Sequence, residues 1–122
     1  RIIVPHIPDK KYVFSVTRSN YEHLTQNGVR IYEYLPGFMH AKVIVADDNI
    51  AMIGTTNLDF RSYFLHFECG TILIDNPCIQ DIIRDCRDTL ARSIEITYEE
   101  AKNVNFVVKC ARAILNLFST LL

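Results

Sequence analysis

His40 and Lys42 stand two positions apart in a run that is otherwise small, apolar or β-branched: Gly37-Phe38-Met39-His40-Ala41-Lys42-Val43-Ile44-Val45-Ala46-Asp47. Side chains alternate across an extended strand, so this spacing sends both to one face and Ala41, Val43 and Val45 to the other, towards a core. An imidazole exchanges a proton near neutral pH or attacks as a nucleophile. A lysine ammonium is a point charge suited to a phosphate oxygen. A His-x-Lys pair by itself also describes a solvated sheet edge, so what weighs is its company. Gly54-Thr55-Thr56-Asn57 follows at once, and Glu68 stands 28 residues after His40.

The pattern His40-x-Lys42-x4-Asp47, then Gly54-Thr55-Thr56-Asn57, then Glu68, resembles the HKD motif of the phospholipase D superfamily. The longer run, with Asn57-Leu58-Asp59-Phe60-Arg61-Ser62 and His66-Phe67-Glu68-Cys69-Gly70, is similar to the carboxy-terminal catalytic half of bacterial cardiolipin synthases. Arg1-Ile2-Ile3-Val4-Pro5 and Pro8-Asp9-Lys10-Lys11 fit the same family. The resemblance covers nearly the whole chain, strongly to about Glu95 and more weakly in the tail. It implies a two-step phosphoryl transfer with no metal and no cofactor. One motif histidine forms a covalent phosphohistidine, which divides one displacement into two easier ones. The other protonates the leaving alkoxide and then deprotonates the incoming alcohol.

The resemblance also implies roles residue by residue. His40 lies in what looks like the second motif and takes the acid/base role. Lys42, Asn57 and Thr55 match the groups that bind phosphate, Thr55 keeping a hydroxyl where the family often has serine; such donors stabilise charge on the transferring group. Glu68 matches the acid that holds the second imidazole nitrogen, as in acid–histidine pairs of hydrolases. Asp47 completes the letter pattern, but it falls on the opposite strand face beside the turn-forming Asp47-Asp48-Asn49 and reads as structural.

Only one such motif is present. His6, His23 and His66 lack a lysine two residues on and a following Gly-x-x-Asn. His6, in Pro5-His6-Ile7-Pro8, reads as a surface loop or a position at the mouth of the site. His23 reads as a solvated helical residue, and His66, between Leu65 and Phe67, as a packing residue. The chain therefore carries half an active site, and two partners are open: a missing amino-terminal HKD half, or a second copy of the chain. The 122 residues, 49% hydrophobic, can bury one modest core. A net charge of −1 gives none of the basic field that nucleic-acid binding draws on. Cys69, Cys78, Cys86 and Cys110 have no metal-ligand spacing and read as reduced, buried thiols. No stretch is long enough to span a bilayer, and a first residue that is Arg entering a strand reads as the start of a fragment.

The elements that must position the site alternate. Ile2-Ile3-Val4 reads as a buried strand. Asp9 caps a helix over about Lys10 to Asn27, with Val13, Val16 and Leu24 inward and Gly28 as its stop. Val29 to Tyr34 reads as a strand with Val29, Ile31 and Glu33 on one face. The His40 strand follows Pro36-Gly37 and pairs with Ile50 to Ile53. Phe67 to Ile74 reads as another strand. Asn76 and Pro77 then open a helix to about Arg92 that buries Ile79, Ile82, Ile83, Cys86 and Leu90. The fold class is α/β, a phospholipase D-like half-domain with a mixed β-sheet flanked by helices.

Residues 1–95 form the catalytic half in this reading, and 96–122 an amphipathic helical tail. Thr97 and Glu100 make a capping box. Beyond Phe106, Val107, Cys110, Ala111, Ile114, Leu117, Phe118 and Leu121 fall on one stripe, with Lys109, Arg112, Asn116 and Ser119 on the other. That helix either packs on protein or lies in a membrane interface with its cations near anionic headgroups. Together these expectations describe half of a cardiolipin synthase that takes phosphatidylglycerol at the cytoplasmic side of the cell membrane. The alternatives are a homodimeric phosphodiesterase or nuclease, and an inactive truncated remnant.

Overall fold

The computed structural model of the chain describes residues 1–117. It divides into two compact units: residues 1–39 together with the segment from Arg92 onward, and residues 40–91. Each holds a three-stranded sheet with helices, so the α/β class and the mixed, helix-flanked pairing hold, with the strands divided between two sheets.

In the first unit β1 (Ile2–Pro5) runs parallel to β2 (Ile31–Tyr34), with α1 (Lys11–Ser19) and α2 (Tyr21–Gln26) between them in sequence. The expected single helix over this stretch is two. Ser19 and Asn20 turn their side chains onto the Val16 carbonyl, at 2.6 and 3.3 Å, and compete with the helical ladder at that point. Lys10, not Asp9, holds the N-cap of α1, without a side-chain cap. Gly28 does end the helical stretch: at φ +83° its N–H reaches the Thr25 carbonyl while Val29 N–H reaches Leu24, a Schellman closure. β1 is half-buried, not buried, and Val13 is exposed, so the inward face of α1 is narrower than its periodicity predicted.

The sheet is completed by β6 (Ser93–Ile96), antiparallel to β2 with Ile31 opposite Ile96 and Tyr34 opposite Ser93. This strand had no counterpart in the sequence reading. Tyr21, Ile31 and Tyr32 are buried here, and with them Glu33, at 0% exposure. The capping box forms as expected, Thr97 and Glu100 exchanging hydrogen bonds, but it opens only α5 (Tyr98–Lys102). A second cap, Asn105, starts α6 (Phe106–Asn116). α5 packs against α2 and α6 along α1. Lys109 of α6 pairs with Glu22 at 2.9 Å. The apolar residues Phe106, Val107, Ile114 and Leu117 are exposed. Phe118, Ser119 and Leu121 lie outside the described residues. Among the described residues no helix is long and apolar enough to cross a membrane.

In the second unit β3 (Val43–Ala46), β4 (Ile50–Gly54) and β5 (Gly70–Ile74) form an antiparallel meander, with α3 (Phe60–Phe64) between β4 and β5 and α4 (Ile79–Ala91) after it. Val45, Ala51 and Leu73 face one side of the sheet and pack with Ile79, Ile82 and Ile83 of α4. Alternation then sends Ile44, Ile72 and Ile74 to the other side, where they are exposed. α4 buries Ile79 and Ile83 as its spacing predicted, whereas Cys86 is only partly covered. It begins two residues later than expected: Asn76 accepts from Cys78 N–H at 3.0 Å, so Pro77 and Cys78 form a capped turn ahead of the helix. The four cysteines are free, but Cys69, Cys78 and Cys110 are exposed, against the expectation of burial.

Candidate active site

The residues that the motif singles out lie in the second unit, and all but Asp47 lie at the end of the meander where β3 begins and β4 ends. His40 and Lys42 come before β3 and not within it, so the strand is shorter than its apolar run suggested. The pairing nevertheless reaches Lys42, whose carbonyl accepts from Gly54 N–H at 3.2 Å. The Lys42 ammonium turns back to donate to the His40 carbonyl at 2.9 Å. His40 is exposed and Lys42 partly so. An anion approaching that ammonium would therefore compete with one neutral acceptor.

Gly54 is required by close approach. A Cβ at this position would collide with the Cys69 carbonyl oxygen and lie 2.7 Å from Gly70 Cα, so only glycine lets β5 enter beside the end of β4. That approach sets the next residues. Thr55 N–H donates to the Cys69 carbonyl at 2.9 Å and Cys69 N–H donates to the Thr55 hydroxyl at 3.0 Å. The Thr55 hydroxyl in turn donates to the Glu68 carboxylate.

Ser62 supplies a second hydroxyl, and sequence reasoning gave it no role. It is buried, on an α3 turn whose N-cap, Asp59, accepts from Ser62 N–H at 2.8 Å. Its hydroxyl takes the Asn57 N–H at 3.1 Å. The Thr55 hydroxyl first, and the Ser62 hydroxyl second, hold the Glu68 carboxyl below the usual carboxylate range, with smaller electrostatic contributions from His66 and then Lys42. Thr55, Asn57, Ser62 and Glu68 thus form one hydrogen-bonded group with Lys42 as an electrostatic neighbour. The Asp59 cap fixes the Ser62 backbone through its N–H, but nothing in the sequence pattern says that the Ser62 hydroxyl turns to Asn57 and Glu68.

Asp47 falls in the β3–β4 reversal. Asp47 and Asp48 have φ of +52° and +58°, and Asn49 N–H closes onto the Ala46 carbonyl at 3.4 Å, the geometry of a type I′ turn. His66 is exposed, with Nε2 3.1 Å from Arg61, and is no packing residue. His23 is exposed on α2. His6, in the first unit, has its Nδ1 2.6 Å from the Glu33 carboxylate. Among the described residues no cluster of His, Cys, Asp or Glu could hold a metal ion.

Residues 1–90 match the family described as cardiolipin synthase, PLD-like domain, and the chain belongs to that family. It is 41% identical over its full length to a cardiolipin synthase of Geobacillus kaustophilus, of which it covers 24%, and 37% identical to one of Halalkalibacterium halodurans, again covering 24%. A protein named cardiolipin synthase 2 from Bacillus anthracis is 44% identical over 79% of the chain and 19% of its own length. The chain thus spans about a quarter or less of the length of these curated relatives. It is a member of a phospholipase D-type family, similar to proteins named cardiolipin synthase.

Proposed function

We propose that the chain is the carboxy-terminal catalytic half of a cardiolipin synthase, with residues 1–95 as the catalytic segment. In this reading it transfers a phosphatidyl group from one phosphatidylglycerol to another and releases glycerol. The observation that carries the proposal is the group Thr55–Asn57–Ser62–Glu68 beside Lys42, inside a segment that belongs to this family. A carboxylate kept ionised by two hydroxyls is suited to accept an imidazole N–H, which would fix the His40 tautomer and leave its other nitrogen to exchange protons. His40 then protonates the leaving glycerol oxygen and later takes the proton of the acceptor hydroxyl. Lys42 and Asn57, with Thr55, hold the phosphate oxygens through both steps. Asp47 shapes the hairpin.

The phosphohistidine forms on the histidine of a second HKD motif, in an amino-terminal half or in a second copy of the chain. The substrate lies in a bilayer, so this segment works against a membrane surface, at the cytoplasmic side of the cell membrane. Incubating the purified, verified monomer with phosphatidylglycerol in detergent micelles tests the half-site. The expected result is no cardiolipin, for want of a nucleophile, and cardiolipin from a verified monomer would overturn the reading. Activity rising with the square of protein concentration would favour a homodimer in which each chain gives one motif.

A further inference from the structure

In the first unit a cavity of about 240 Å³ is lined by residues that include Arg18, Glu22, Val104, Lys109, Arg112 and Asn116. Three cations reach it, and two are committed. Arg18 donates to both oxygens of Glu33, at 2.9 and 2.7 Å, and Lys109 pairs with Glu22 at 2.9 Å. The third is not: among the described residues the Nε of Arg112 is buried with no hydrogen-bond partner. Nor do the nearby carboxylates serve it. Glu33 is taken by Arg18, His6 and Tyr21, Glu22 by Lys109, and Glu100 by the N–H and hydroxyl of Thr97. Burial, and then the charge of Arg18, push the Arg112 guanidinium below its usual range. A guanidinium still keeps its proton in a protein, so the hidden Nε–H of Arg112 is an unsatisfied charged donor that an anion in the cavity would satisfy.

We propose that this cavity binds one phosphate group, held by the fork of Arg112. The fork matches phosphate oxygens in two parallel hydrogen bonds, while Lys109, three residues earlier on α6, keeps Glu22 neutralised on the same lining. The demand for an anion stands on the cavity itself. The choice of phosphate over carboxylate rests on the phosphatidyl-transfer reading. The site uses no residue of the 40–91 unit. The phosphate is either free in solution or part of a phospholipid headgroup.

The side-chain Nε–Hε resonances of arginine in the 122-residue chain report this directly. Titration with inorganic phosphate, against sodium chloride at matched ionic strength, should shift the Arg112 resonance saturably. Arg112→Gln should weaken phosphate binding about tenfold or more, the loss of a charged hydrogen bond, while Arg87→Gln on an exposed turn of α4 should change nothing. If Arg112→Gln does not fold, Arg112→Lys keeps the charge without the fork and should still bind several-fold more weakly. In a second arm, vesicles of phosphatidylcholine with and without phosphatidylglycerol are sedimented with the same proteins. Arg112-dependent binding to the anionic vesicles without a response to free phosphate assigns the headgroup as the source. Binding that depends on Arg112 with neither probe, or an equal response to acetate, would overturn the proposal. None of these readouts needs turnover, so they stand or fall apart from the catalytic role of His40.

Discussion

Glu33 and Glu68 are both carboxylates held ionised, by different means and for different ends. Glu33 has no exposure, and burial alone would raise its pKa, yet hydrogen bonds from Arg18 and His6 outweigh that and the net direction is down. Removing Arg18 strands a buried charge, so Arg18→Ala should cost about 3–5 kcal/mol in denaturant unfolding at neutral pH. Because the folded pKa is lowered, the contribution of Glu33 is whole above the unfolded carboxyl value of about 4.3 and is lost as pH falls through the folded value. Stability measured from neutral to acid pH should therefore fall less steeply below about pH 5 in Glu33→Gln than in the parent. Glu68 lies at the open end of the hairpin, where the proposed function gives it the task of orienting His40 rather than of stabilising the fold. With a complete enzyme, His40→Ala should abolish transphosphatidylation, yet a substrate whose leaving group needs no proton should restore the first step and trap a phosphohistidine on the other motif. Lys42→Ala and Asn57→Ala should slow both steps with either substrate. Recovery of the second step in His40→Ala would sink the acid/base assignment. Of these residues, His40, Lys42, Asn57 and Glu68 are singled out in the sequence by their types and spacing. Glu33 was read only as the third member of an alternating strand face, since nothing in a linear pattern says that Arg18, His6 and Tyr21 return to it.

At the scale of elements, hairpin and glycine matter most. The approach of β5 to Gly54 leaves no room for a methyl group, so Gly54→Ala must push the Cys69–Gly70 backbone aside. The expected cost is about 2 kcal/mol or more, and the displaced Cys69 would carry Thr55 and Glu68 with it. A thermal melt and a turnover assay on the complete enzyme should both register it; a variant with unchanged stability would mean that the two strands separate freely. The helices showed which local signals survive folding. Gly28, the Thr97–Glu100 box and the Ile79–Ile83 spacing were legible because each is satisfied within one turn of chain. The boundary at Asn20 was not, because side-chain competition for a single carbonyl leaves the apolar periodicity intact. Nor was β6 legible: Ser93-Ile94-Glu95-Ile96 is only four residues long and becomes a strand by pairing with β2, more than fifty positions away in sequence.

Across the whole molecule, α6 turns its ordinary polarity around. Its cations face the body of the unit, at Glu22 and the Arg112 cavity, while Val107, Ile114 and Leu117 are 71%, 60% and 79% exposed. The usual rule for surface helices, that a charge is harmless outside and ruinous at an apolar position, is here inverted. Ile114→Glu and Leu117→Lys remove no packed side chain and should leave the unfolding free energy of the isolated chain within about 0.5 kcal/mol of the parent. They should also raise its solubility and keep it monomeric at concentrations where the parent associates, as gel filtration over a dilution series would show. Lys109→Ala, conventional and conservative by exposure alone, should be the more damaging change. Mutational tolerance along this helix should therefore divide by face, the polar side sensitive to substitution and the exposed apolar side open to charge.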